Sequence, residues 1–190
     1  LGDVKFRGKA GKIDSNLDFS AIDHAKEFLH SAATYSPTIF PMVTYPDPAP
    51  GADFFFQPAD VFYAGVGAYY SNGHQTFLDL AGQPEKIERT SGGTFMIAEA
   101  GSRWKLSAHG QSLAGHAGFG GWYHTGDVPR VCSPGESVHG SGGTYLFFDQ
   151  SLWTDNTGTD HAPRDFGFLM DAGEADARTN PLDEQFGGGF

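Results

Sequence analysis

Apolar and polar residues alternate along most of this chain, in runs separated by gaps rich in glycine, proline and serine. The longest such run is residues 112–127, SLAGHAGFGGWYHTGD. Leu113, Gly115, Ala117, Phe119, Gly121 and Tyr123 share one parity, and Ala114, His116, Gly118, Gly120, Trp122 and His124 the other. A period of two predicts a strand whose faces meet different surroundings. Neither face carries the dense Val, Ile and Leu of a packed soluble core. Small residues with an aromatic rim suit a thin wall between lipid and water. A surface hairpin in an ordinary antiparallel sheet gives the same alternation, and this strand alone does not decide between them.

Residues 3–11 alternate cleanly, with Val4, Phe6, Gly8 and Ala10 against Lys5, Arg7 and Lys9. Facing lipid, each cation would cost ~2–4 kcal/mol at the bilayer midplane, so in a barrel they face the lumen. In a soluble sheet they would be a solvated face. The alternation then stops for about forty residues. Within that gap, residues 20–30 have helical spacing, with Ala21, Ala25, Phe28 and Leu29 on one face, and predict a short amphipathic helix. Residues 36–51 follow with Pro37, Pro41, Pro46, Pro48 and Pro50, which predict a stiff, extended loop because each proline removes a ladder donor.

Alternation returns from residue 52. Phe62, Ala64, Val66, Ala68 and Tyr70 form an apolar face bounded by rings, opposite Tyr63, Gly65, Gly67 and Tyr69. After a polar loop at 72–92, Thr94, Met96, Ala98, Ala100, Trp104 and Leu106 face one way. Phe95, Ile97, Glu99, Arg103 and Lys105 face the other. A loop at 125–141, a strand at 143–153, a loop at 154–164 and two final strands bring the predicted total to eight. The early connections run roughly forty, three, twenty-one, five and seventeen residues, the long–short alternation of barrels with extracellular loops and periplasmic turns.

Composition narrows the function classes. The net charge of −11 argues against a nucleic-acid partner, which calls for a basic patch. A single cysteine, Cys132, excludes an internal disulfide framework and a cysteine-based zinc cluster. No apolar run reaches the ~18 residues of a transmembrane helix. No signal peptide is visible, and LGDVKFRGK reads as mid-strand.

Candidate chemistry is sparse. The histidines form no HExxH and no close pair, so no metal site is predicted, and His124 and His161 sit beside turns. Glu99 and Asp149 fall mid-strand on inferred lumen faces, where a glycosidase pair would stand. Unpaired carboxylates lining a wet channel are the preferred reading. No nucleophile elbow, P-loop or dinucleotide fingerprint appears, so no catalytic residue and no cofactor is expected. Tyr70 and Tyr123 read as interfacial girdle residues. Trp122 and Tyr69 either stack on sugar rings or belong to the girdle.

Seven segments occur in order along the chain: GKIDSN (11–16), FLHSA (28–32), PTIFP (37–41), YPDPAPG (45–51), GGWYHTGD (120–127), FFDQSLW (147–153) and RTNPLD (178–183). Together they resemble the carbohydrate-selective outer-membrane porins of the OprB type. The resemblance implies an all-β, transmembrane antiparallel barrel of about sixteen strands in the bacterial outer membrane. It implies passive diffusion of mono- or oligosaccharides into the periplasm, with outer-membrane lipid as the other partner. Monomer and homotrimer both stay open. Eight strands are about half such a barrel, so residues 1–190 read as a single barrel domain incomplete at both ends, with 12–51 a long loop containing the helix and prolines. Phe190 imitates a terminal phenylalanine, yet DEQFGGGF has few outward apolar residues and reads as truncation within a strand. Parity, not the resemblance, gives the lumen-facing candidates: Lys5, Arg7, Lys9, Tyr63, Glu99, Arg103, Lys105 and Asp149. The alternative reading is a secreted acidic β-sandwich that binds or hydrolyses glycans.

Overall fold

A computed structural model describes residues 4–22, 25, 36–44, 47–71, 74–78, 83–88, 90, 92–108, 110–155 and 164–190. The strands are β1 (Lys5–Ile13), β2 (Ala49–Gln57), β3 (Phe62–Ser71), β4 (His74–Leu78), β5 (Pro84–Glu88), β6 (Gly93–Ala108), β7 (Gln111–Pro129), β8 (Ser137–Asp155), β9 (Arg164–Ala175) and β10 (Glu184–Gly189). One 3-10 turn, η1 (Ser15–Leu17), follows β1. Eight strands form one sheet in the order β1-β2-β3-β6-β7-β8-β9-β10, and β4 and β5 pair separately. All pairings in the main sheet are antiparallel.

The eight alternating runs correspond to these eight strands, and the differences lie at their ends. The segment 72–92 is not only a loop, because β4 and β5 form a hairpin in it; five residues per strand are too few to show a period. β2 begins at Ala49 and takes in Pro50. Proline is tolerated there because its strand pairs only with β1 at that level, the ladder to β3 starting at Gly51. β7 and β8 run on to Pro129 and back from Ser137, leaving only 130–136 as the loop. A register shift between His124 and Asp127 breaks the alternation, which is how a bulge hides a continuing strand from the pattern. Of the helix predicted at 20–30, residues 23–24 and 26–30 lie outside the described residues. Ser20 has φ of 54°, so no α-helix starts there. Ala25, described between those gaps, has 3-10 geometry and donates its N–H to the Ile22 carbonyl at 3.2 Å.

The register sorts side chains into two faces. One lateral row crosses the sheet as Phe6, Phe56, Ala64, Ala100, Phe119, Leu146, Ala172 and Phe186. It is apolar throughout and largely exposed, Phe6 at 66% and Phe119 at 60%. One residue along, the opposite face reads Arg7, Phe55, Gly65, Glu99, Gly120, Tyr145, Gly173 and Gln185. Here large rings alternate with glycine across strands. A Cβ at Gly65, Gly101, Gly118 or Gly120 would overlap the ring of Phe55, Tyr63, Phe147 or Tyr145 respectively. The rings therefore lie flat along the sheet, and glycine supplies the space beneath them.

The described residues of the segment between β1 and β2 lie over this second face. Phe19, Ile22, Ile39, Phe40, Met42 and Val43 pack on Tyr69, Phe95, Ile97, Trp122, Tyr145 and Phe147 to make the apolar core. The core thus lies between a folded-in connection and one face of a sheet, while the other face is left apolar and open. A β-sandwich would bury both inner faces against each other. Among the described residues only the short β4–β5 pair lies outside the main sheet, too little for a second layer.

Candidate functional site

At one end of the covered face the connection leaves a cleft of about 490 Å³, lined among others by Lys5, Arg7, Asp18, Phe55, Tyr63 and Arg103. Its geometry starts from η1. The Asp14 carboxylate accepts from the Asn16 N–H at 3.0 Å and caps the turn. Asp18 closes that turn and points back at β1. Its carboxylate holds Arg7 Nη2 at 2.7 Å and Lys9 Nζ at 2.6 Å, with the Asp18 side chain only 2% exposed against 50% for Arg7 and 40% for Lys9. The Arg7 guanidinium also lies 4.4 Å over the Phe55 ring, and Arg103 5.5 Å over Tyr63. Lys5 reaches Asp60 at 3.1 Å in an exposed pair.

Behind the cleft sits Glu99, 4% exposed. Tyr63 donates its hydroxyl to Oε1 at 2.7 Å. The Ser20 N–H and the Tyr145 hydroxyl both donate to Oε2 at 2.7 Å. These three donors offset part of the carboxylate's desolvation. The Tyr63 oxygen is also 2.8 Å from His116 Nε2. With its proton given to Glu99, that oxygen accepts from the imidazole. His116 in turn stands directly opposite Asp149 across β7 and β8.

Of the parity candidates, Lys5, Arg7, Tyr63 and Arg103 come together around the cleft. Lys9 stands beside it on Asp18, and Glu99 lies beneath Ser20. Asp149 is 3% exposed, deeper in the sheet, and Lys105 is exposed beyond Arg103 at the strand end. Asp18, Phe55 and Asp60 also line the cleft and were not singled out by sequence. Asp18 falls in the stretch without a period, where no pattern assigns a facing. Tyr70 and Tyr123 are exposed on the open face. Tyr69 and Trp122 are instead buried on the covered face, Trp122 meeting the edge of Phe40 at 5.6 Å. They are therefore part of the seat of the connection, which closes off both the stacking and the girdle readings. Among the described residues no three His, Cys, Asp or Glu side chains converge as metal ligands. His161 lies outside the described residues, and Cys132 is exposed.

No curated protein and no solved structure matches the chain. The family model for the carbohydrate-selective porins matches residues 1–190. With the match running the whole length of an antiparallel sheet that is apolar and open on one side and covered on the other, the chain belongs to the OprB family of carbohydrate-selective porins.

Proposed function

We propose that residues 1–190 form wall and constriction of a channel in the bacterial outer membrane, through which mono- or oligosaccharides diffuse passively into the periplasm. The open face meets lipid, and the segment 12–51 folds into the lumen. The observation that carries this reading is the cleft in which Lys5, Arg7, Tyr63 and Arg103 meet beneath the η1 turn. Sugar hydroxyls are donors and acceptors at once. Cations that keep half their surface in water can donate to them, with the exposed Asp60 accepting beside them. Each charge-assisted bond contributes ~1.5–3 kcal/mol before desolvation. A few such bonds, each traded against water, let a solute enter and leave, as conduction requires. Because Arg7 and Arg103 lie over Phe55 and Tyr63, a solute meets the guanidinium groups before the rings. Lys9, Glu99 and Asp149 support the cleft from behind, and Lys105 adds charge at its approach. Passage in this scheme needs no nucleophile, metal or cofactor.

Arg7→Ala tests the reading in the full-length protein in planar bilayers. Sugar block of ion current should weaken several-fold, while the barrel still runs as a folded, heat-modifiable band. If ion selectivity changes but the sugar concentration for half-block does not, Arg7 lies off the solute path. Deleting residues 20–45 should raise conductance and flatten sugar preference. Unchanged conductance would mean that the segment only caps the wall.

A further inference from the structure

We infer that two side chains, Glu99 and Asn180, are positioning residues that fix the aperture of the channel without touching the solute. The inference rests on the reading of 12–51 as a constriction. Its apolar contacts, Phe19 on Phe55 at 4.9 Å and Phe40 on Trp122 at 5.6 Å, are non-directional and leave the segment free to slide. Beyond the Asp18 ion pairs to β1, two polar clasps remove that freedom, one on each half of the segment. Glu99, on β6, accepts the Ser20 N–H at 2.7 Å. Ser20 sits in the left-handed region at φ 54°, an unfavourable conformation for serine that this bond helps to hold.

The second clasp comes from the RTNPLD motif, to which the channel reading gives no role. Asn180, 3% exposed, donates Nδ2 to the Thr38 carbonyl at 2.7 Å across 142 residues of sequence, and its Oδ1 accepts from the Leu182 N–H at 3.0 Å. The turn beneath it is fixed by the Thr179 and Asn180 N–H groups, both donating to the Asp176 carbonyl at 3.0 Å. The hydroxyls of Ser36 and Thr38, 2.7 Å apart, sit where a Cβ on Gly173 would be. Any side chain at 173 would lift the segment off the sheet. The geometry therefore joins the β9–β10 connection to the second half of the constriction.

The test uses the full-length protein with Cys132→Ser, since that thiol is exposed. Glu99→Gln and Asn180→Ala should each raise single-channel conductance and open-channel noise. They should also cut discrimination between a monosaccharide and a trisaccharide several-fold, with the heat-modifiable band unchanged. Asn180→Asp keeps the acceptor for Leu182 and removes the donor to Thr38, so it should behave likewise even if the alanine variant folds poorly. Wild-type conductance and discrimination in both clasp variants, beside a raised conductance on deleting 20–45, would overturn the clasps and leave the constriction standing. No change on the deletion either would overturn both.

Discussion

Asp18 shows how much one residue decides at this site. Three cations stand in a column on β1, and parity alone assigns them to one face. Their effective charge, however, depends on a carboxylate nine residues beyond Lys9 that pairs with both Arg7 and Lys9 and offsets one of their two charges. Asp18→Asn should free both cations and shift the reversal potential toward anions. The shift should be larger at 0.01 M than at 0.1 M salt, as the screening length grows from ~10 to ~30 Å. An unchanged reversal potential at both concentrations would place the pair outside the conduction path. The cations were legible because a strand states its facing every second residue. Asp18 was not, because an irregular connection states no facing at all. Tyr69 and Trp122 mark the same limit: parity placed them off the open face, but nothing local announced that Phe40, far along the chain, would cover Trp122.

Among the elements, the strands were read from their period and the connection was not, for a physical reason. Strand pairing repeats, whereas the connection is placed by single long-range bonds such as Ser20 to Glu99. Rings lying over glycines tie the two together. A Cβ at Gly120 would overlap Tyr145, whose hydroxyl holds Glu99. Gly120→Val should thus push that ring off its bond and destabilise the barrel by ~1–3 kcal/mol, the usual cost of overpacking. The midpoint of urea unfolding, followed by loss of the folded band, measures it; an unchanged midpoint would mean that the ring lifts freely. The turn after β9 predicts a pH effect. Arg178 donates through Nε and Nη2 to the Asp176 carboxylate at 2.9 and 2.6 Å, and its N–H donates at 3.0 Å. These hydrogen bonds, foremost those of the guanidinium, hold the Asp176 carboxyl below the usual carboxylate range. A group whose folded pKa is depressed contributes above its unfolded value of ~3.9 and loses that contribution as pH falls through the folded value. Asp176→Asn should therefore be less stable than wild type at neutral pH and converge on it as pH falls through the folded value. A deficit that persists in strong acid would assign the turn's stability to something other than this carboxylate.

Across the whole molecule, the two faces of a single sheet are a statement about solvent. On β3 the open face runs from Phe62 to Tyr70 with only alanine and valine between. Eight residues at ~3.3 Å of rise make ~26 Å along the strand, or ~20 Å along the membrane normal at a tilt of ~40°, close to the ~25 Å apolar band of outer-membrane barrels. Tyr70 and Tyr123 stand exposed toward one end of that band, Phe62 toward the other. The net charge of −11 is kept off the band: Lys12, Asp155, Arg164, Glu174 and Glu184 are the first charges on open-face parity, near strand ends. The covered face, one residue away along the same strands, holds Arg7, Glu99 and Arg103. If lipid meets the open face and water the other, single cysteines in the full-length Cys132→Ser protein will report it. In liposomes a membrane-impermeant maleimide should label cysteine in place of Lys5 or Arg103 and spare cysteine in place of Val66 or Phe119. Val66 and Phe119 are more than half exposed, so the same two positions should label readily once the protein is unfolded in detergent and heat. Protection must therefore come from the bilayer and not from protein. Phe119→Trp adds an independent reading, because brominated acyl chains should quench its fluorescence, with Trp104 and Trp153 subtracted by comparison with the parent. Labelling of Val66→Cys and Phe119→Cys in intact liposomes, with no quenching at 119, would put water on the apolar face and end the membrane-wall reading, whatever the family.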